Sequence, residues 1–426
     1  MVNLKEKTEY KKGYKKTKLG WIPEEWEVVK LGDCAYKIGS GITPKGGRST
    51  YKQKGVPFIR SQNVLYGTLS LNDVAFIDEK QHKSMSNSVA KPNDILINIT
   101  GASIGRACIL PLNIIEANVN QHVCIIRIGS ALKPSFLLNF LLSSKGQDQI
   151  DKFQAGGNRE GLNFEQLRSF YIPIAPLSEQ QKIAEALATW DEGVEALEKL
   201  IDKKQILKKA LTQKLLTGKL RCKHYRDSNW KHKHFNQIFE RITRKNTENN
   251  KNILTISAQK GLVSQEEFYN KRIASVDTSK YMLLENGEFA YNKSYSKGYP
   301  MGAIKRLDFY KKGVVSSLYL CFKLNNQNCC SDFFAHYFEA GLLNNEIQMI
   351  AQEGARNHGL LNITPDDFFN TLLFIPILKE EQQKIAAILN SCDEEIKLLN
   401  YKLGKLKEQK KGLMQKLLTG QIRVKI

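Results

Sequence analysis

Few residues in this chain have the types and spacing that chemistry requires. Asp78-Glu79-Lys80 and Glu395-Ile396-Lys397 match the short Asp/Glu-x-Lys half of a nuclease motif. The first lacks an upstream Pro-Asp and the second falls inside a helical repeat, so both read as chance matches. Cys222, His224, His232 and His234 lie close in sequence, but their spacing fits no standard zinc module. Gly101-Ala-Ser-Ile-Gly105 follows a strand-like run, yet it lacks the third glycine and the acidic partner of a dinucleotide site and reads as a tight turn. There is no Gly-x-x-x-x-Gly-Lys-Ser/Thr phosphate loop. Nor is there an Asp/Asn-Pro-Pro-aromatic tetrapeptide of the kind that holds a flipped base. The expectation is a chain that binds rather than catalyses, with no metal or cofactor of its own.

What it would bind is suggested by charge. Lys plus Arg number 64 against 43 Asp plus Glu, a net of +21 over 426 residues. Such an excess points to a polyanion, nucleic acid first, against the plainer reading of surplus lysine kept for solubility. The net is +5 in residues 1–20, +4 in 21–178, +2 in 179–221, +5 in 222–380 and +5 in 381–426, so no tail accounts for it. Lysines on phosphates bind without reading sequence, whereas base edges need Arg, Asn, Gln, Ser or Thr on loops. Candidate contacts in the first half are Thr43, Lys45, the run Arg60, Ser61, Gln62 and Asn63, then Arg106, Gln121, Asn158 and Arg159. In the second half they are Asn292, Lys293, Ser294, Tyr295 and Lys297, followed by Arg356, Asn357 and His358. Taken singly, any of them could equally be a solvated or capping residue.

The elements that must carry these loops come from a repeat. Residues 179–221 and 381–423 align at a constant offset of 202 without a gap, with 21 identities in 43 positions. Both begin Glu-Gln-Gln-Lys-Ile-Ala, and Leu-Thr-Gly near the end of each supplies a glycine C-cap. In the first, Ile183, Leu187, Trp190, Val194, Leu197, Ile201 and Leu211 follow alternating steps of four and three. In the second, Ile385, Leu389, Ile396, Leu399, Leu403, Leu406 and Leu413 do the same. That is a heptad seam, interrupted by Lys204, Lys208 and Lys410. Neither module contains proline, while Pro173, Pro176 and Pro376 stand just ahead. Two helices of about 39 residues, each roughly 58 Å long, can pair antiparallel as a coiled coil. The alternative is two amphipathic helices, each packed on its own domain. The stretches ahead of them mix strand-like runs (94–100, 122–128, 314–322) with later helical patches (135–153, 332–350). The predicted fold is α+β: a first domain over 1–178 with a basic N-terminal extension, a helix over 179–221, a second domain over 222–380 and a distal helix over 381–426. The length prior of about 150 residues per domain agrees with this division.

Eight scattered cysteines without a CxxC pair, no apolar run near the ~18 residues of a membrane span and no apolar segment in the first twenty residues lead to the expectation of a cytoplasmic protein with reduced thiols.

The arrangement resembles the specificity (S) subunit of type I restriction–modification systems. The resemblance rests on Gly20-Trp-Ile-Pro-Glu-Glu-Trp-Glu-Val-Val-Lys-Leu-Gly32, on Gly55–Asn63 and Asp94–Gly105, and on Ile172–Ala184 with its repeat from Ile375. The second half departs where the motif opens: Trp230 remains, but Ile-Pro-Glu-Glu is missing. The resemblance implies two target recognition domains, each reading one half of a split double-stranded DNA site. It implies paired helices that set the unread spacer and dock two modification (M) subunits, with restriction (R) subunits joining the complex. S-adenosylmethionine, ATP and Mg would then sit on those partners, with adenine methylation and ATP-dependent cleavage performed by the complex. Two other readings stay open: a related restriction–modification protein with activity of its own, and a coiled-coil scaffold that binds no DNA.

Overall fold

A computed structural model describes residues 12–44, 46–154, 161–257, 259–269, 277–356 and 360–425. The chain divides into two compact units. One combines Met1–Glu198 with Tyr401–Ile426, and the other is Lys199–Asn400. Each is α+β.

In the first unit an antiparallel four-stranded sheet runs in the order Ala35–Ser40, Val123–Ile128, Ile95–Asn98, Ala107–Ile109. A second four-stranded sheet pairs Val56–Ile59 in parallel with Ala117–Val119. Between the faces, Leu96, Val123 and Ile125 join Ile59 and Val119 in one apolar cluster. Asp94, only 1% exposed at its side chain, takes a bidentate pair from Arg127 (Nε and Nη2, both 2.7 Å), tying neighbouring parts of the first sheet. Helices Pro134–Leu142 and Ser144–Gln154 cover the opposite side, the first contributing Phe136, Leu137, Phe140 and Leu141 to the core. The short strand Glu27–Lys30 pairs with Tyr171–Ile174, which leads into the first long helix, Leu177–Leu215.

The second unit repeats the first sheet and the strand pair ahead of the long helix, with two-stranded sheets in place of the second four-stranded one. Its four-stranded sheet runs Phe239–Arg241, Leu320–Leu324, Phe289–Asn292, Ala303–Arg306, the same order by place in the chain. Trp230–His234 pairs with Leu372–Pro376, which leads into the second long helix, Lys379–Leu418. Phe235, Phe239, Phe289, Phe322, Phe334 and Phe338 fill the core with edge-on and stacked rings. The run expected as one strand over 314–322 is instead two, Lys312–Val315 and Leu320–Leu324, because Tyr319 N–H donates to Ser316 O (3.1 Å) and closes a turn.

Both helices stop in the same way. Gly218 and Gly420 adopt φ of 71° and 67°. Leu220 N–H reaches back to Lys214 O (2.9 Å), and Ile422 N–H to Lys416 O (3.2 Å), the six-to-one closure of a glycine cap. Within the first unit, Asp191 pairs with Lys410 and Glu198 with Lys407 (2.6 Å), so rising numbers on one helix meet falling numbers on the other. Within the second, Lys204 pairs with Glu395 (2.6 Å) and Lys208 with Asp393. Each of the three lysines that interrupt the seam thus meets an acid across it. Ile183, Leu187, Ile201, Ile385 and Leu389 are buried. Trp190, Val194, Leu197, Leu211, Ile396, Leu399, Leu403, Leu406 and Leu413 are half-buried.

The cysteines among the described residues are free, and burial pushes the thiols of Cys108, Cys124 and Cys321 up to about 12. No helix among these residues is long and apolar enough to cross a membrane.

Candidate nucleic-acid interface

The polar loops of the first unit converge on an open cleft of about 440 Å³, lined by Ser61, Gln62, Thr100, Ser103, Arg106 and His122, with Gly101 and Ala102 between them. Strand ends position these groups. Ile95–Asn98 delivers Thr100, and a turn over Gly101–Ser103 folds back so that Gly105 N–H donates to Asn98 O (2.9 Å) and sets Arg106 at the mouth. Gly105 holds φ at 81°, a left-handed backbone that favours glycine, and a Cβ there would press on Gln147 Oε1 (2.9 Å) and Ile150 Cδ1 (3.0 Å). Asn98 sits at 0% exposure and donates through Nδ2 to Ser61 O (2.9 Å) and Ser103 Oγ (3.1 Å), joining two sides of the cleft. Its Oδ1 has no partner among the described residues.

Across the mouth a relay orders four side chains. Thr43 Oγ1 donates to Gln121 Oε1, the Gln121 amide meets His122 Nε2 at 3.3 Å, and His122 Nδ1 meets Thr100 Oγ1 at 2.6 Å. Gln62 and Arg106 are exposed. Arg60 turns away from the mouth: it donates to Asp73 O (2.7 Å), and its guanidinium lies over the Tyr51 ring at 5.9 Å. Gathered donors and acceptors of this kind, free of apolar cover, suit base edges and phosphates.

Not every expected contact lies there. Asn63 is 1% exposed and cannot meet a base: its Oδ1 accepts from Arg60 N–H (3.0 Å) and its Nδ2 donates to Ser70 O (3.1 Å), which shapes the turn presenting Gln62. Lys45, Asn158, Arg159, Asn357 and His358 lie outside the described residues. Arg356 ends the strand Gln352–Arg356. The chain returning at Gly161 and Leu162 bridges the cleft strand, Leu162 N–H donating to Ile99 O (2.8 Å).

In the second unit the same return occurs, Leu361 N–H donating to Lys293 O (3.0 Å). Here the expected side chains divide. Asn292 Oδ1 accepts from Ser294 N–H (3.1 Å), and the Lys293 ammonium donates to Ile363 O (3.3 Å), where burial lowers its pKa. These two are spent on shaping the loop. Ser294 is half-buried, while Tyr295 and Lys297 are exposed at the tip of the turn that Ser296 and Tyr299 close.

The weak catalytic motifs have structural employment. Asp78 caps the helix Glu79–Ser84 by accepting from Gln81 N–H (2.9 Å), and Glu395 is the partner of Lys204. Among the described residues no three His, Cys, Asp or Glu side chains gather as metal ligands.

A family model described as "Type I restriction modification DNA specificity domain" matches residues 23–208. That stretch holds the cleft, the strand pair ahead of the first helix and most of the helix itself. Residues 23–208 are thus similar to the DNA specificity domain of type I restriction–modification systems. Similar proteins include the MjaVIII specificity subunit of Methanocaldococcus jannaschii, 29% identical over 201 residues, covering 46% of this chain and 46% of that one. The EcoKI specificity subunit of Escherichia coli K12 is 26% identical over 175 residues, covering 40% and 37%. The matched stretch thus spans about half the length of these relatives or less. A crystal structure of the S subunit from M. genitalium has the same fold, with a TM-score of 0.53 over 92% of this chain and 96% of that one at 14% identity.

One buried feature of the chain belongs to no catalytic or binding motif. In the first unit Glu179, wholly buried, takes Arg423 Nε (2.6 Å) and Nη2 (2.8 Å) and the indole N–H of Trp26 (2.9 Å). In the second, Glu381 takes Arg221 Nε (2.6 Å) and Nη2 (2.9 Å) and the indole N–H of Trp230 (3.2 Å). Each clasp joins the start of one helical module to the end of the other. Its signal in the sequence is a glutamate and an arginine, both identities of opposite charge within the repeat. Next to each glutamate, Gln180 and Gln382 pin the helix start to its domain, accepting from Lys133 N–H and Cys330 N–H (2.8 Å each).

Proposed function

We propose that this chain is the DNA-reading specificity subunit of a type I restriction–modification complex. The observation that carries the reading is the polar cleft of Gln62, Arg106 and His122, with Gln121 bonded to His122 beside it, inside the stretch matched to the DNA specificity family. Each unit reads one half of a bipartite duplex target, through this cleft in the first and through the Tyr295–Lys297 turn in the second. The two long helices act together as an antiparallel coiled coil that sets the unread spacer. They also dock two modification subunits, to which restriction subunits add. The chain holds no catalytic residue and no cofactor; S-adenosylmethionine, ATP and Mg belong to the partners, and the complex works in the cytoplasm. The repeated sheet order, the opposed course of the helices within each unit and the net charge of +21 support this.

Methylation-sensitive sequencing of DNA from cells expressing the chain with its modification subunits tests the reading, with a split adenine-methylated motif expected. Arg106→Ala or Gln62→Ala should relax one base position in one half-site, at about 1–3 kcal/mol of discrimination, and leave the other half unchanged. Product from the purified chain alone, given S-adenosylmethionine or Mg²⁺, would refute the non-catalytic assignment. An absence of salt-sensitive affinity for duplex DNA would refute DNA binding itself.

A further inference from the structure

The helix Ser144–Gln154 has two working sides. On one, Gln147 Nε2 donates to Gly105 O (3.2 Å), Ile150 packs beneath the same glycine and Gln154 Nε2 donates to Gly161 O (3.4 Å), so this side supports the reading cleft. Roughly half a turn round the axis, Lys145, Asp148, Lys152 and Phe153 face a separate cleft of about 420 Å³. Lys18 and Lys30 close it from the neighbouring strand ends. Asp148 is the one acid in its lining, and none of the four lysines forms an ion pair among the described residues. The floor is rigid: Gln149 exchanges two hydrogen bonds with the Tyr171 backbone, at 2.8 and 3.2 Å. Phe153 stacks on buried Phe170 with the rings 2° from parallel and is itself 40% exposed.

Four lysines against one acid give the lining a net positive charge and make it a place for an anion, and an exposed ring beside them offers a surface to a base or sugar. We propose that this cleft is a second nucleic-acid contact of the first unit, holding a phosphodiester backbone without reading its sequence. The proposal rests on the DNA-binding reading above and goes beyond it. It assigns a second site on the far side of the helix that supports the reading cleft, so one helix serves both recognition and anchoring.

The test uses the full chain, with a random-sequence duplex and a single strand of equal length as probes, each titrated by fluorescence anisotropy across a salt series. Lys145→Ala with Lys152→Ala should lower the slope of log affinity against log salt for duplex by about 1.8, roughly 0.9 for each phosphate released. The matched control, Lys80→Ala with Lys83→Ala on the exposed face of another helix, should leave the slope unchanged. Phe153→Ala separates two sources of the backbone. A loss confined to the single strand assigns the ring to an unpaired base; no loss on either probe assigns the site to duplex phosphates. An unchanged slope in the Lys145/Lys152 variant, or an equal fall in the control, overturns the second site while DNA binding stands. A wild-type chain without salt-sensitive DNA affinity overturns both. Melting curves by circular dichroism verify that each variant is folded.

Discussion

Glu179 and Glu381 each close a clasp within their own unit. A carboxylate with no water around it is costly unless charge and hydrogen bonds surround it. Here a bidentate guanidinium and an indole N–H supply both. Glu179 holds the pKa of Arg423 up through these bonds, with Glu25 adding a second carboxylate on the same guanidinium. Arg423→Ala should therefore cost about 3 kcal/mol in urea unfolding, the scale expected when a buried charge loses its partner. Adding Glu179→Gln to that variant should recover part of the loss, because a neutral amide is cheaper to leave in place. A cost near that of an exposed ion pair, below about 1 kcal/mol, would count against the clasp.

At the scale of elements, two of the glycines in the second long helix and its cap have opposite demands. Gly404 lies inside the helix, and a Cβ added there would meet nothing within 4 Å, whereas Gly420 holds φ at 67° and a Cβ there would come within 2.4 Å of Pro23 Cδ. Gly404→Ala should raise stability by about 0.5–1 kcal/mol, the usual gain from removing backbone freedom within a helix. Gly420→Ala should lower it by more than that, since it meets both a left-handed backbone and a filled space. Thermal melts of the two variants, read side by side, check the sign of each. The lysines in the seam follow related logic. Lys204, Lys208 and Lys410 forgo apolar burial, but each faces an acid on the opposite helix, so they favour one register over its neighbours.

At the scale of the whole molecule, each compact unit takes chain from both halves of the sequence: the first includes Tyr401–Ile426, and the second begins at Lys199, inside the first long helix. The helical modules are thus shared between units rather than owned by either, which suits a spacer function. If the chain reads a split target as proposed, inserting four residues near Lys203 should lengthen the spacer of the methylated target and leave both half-sites as they were. The measurement is the same methylation-sensitive sequencing, and altered half-sites with an unchanged spacer would refute the division of labour between helices and domains.

The repeat, its heptad steps and its terminal glycines were legible by themselves, because helical periodicity and glycine caps are local properties of a chain. Mixed α+β character was legible for the same reason, although the turn at Ser316–Tyr319 that splits one apolar run into two strands was not. The candidate cleft was legible only in part. Gln62, Arg106 and Gln121 could be named from residue type, but Asn63 shares that type and is buried, and His122 carries no signal until Thr100 and Gln121 stand beside it. Tertiary structure alone decided which polar side chains face outward and which are spent holding loops. It also decided that Glu179 meets Arg423 across 244 positions of sequence. Composition and spacing describe what a residue can do, whereas burial and partnership depend on contacts between segments that no local pattern encodes.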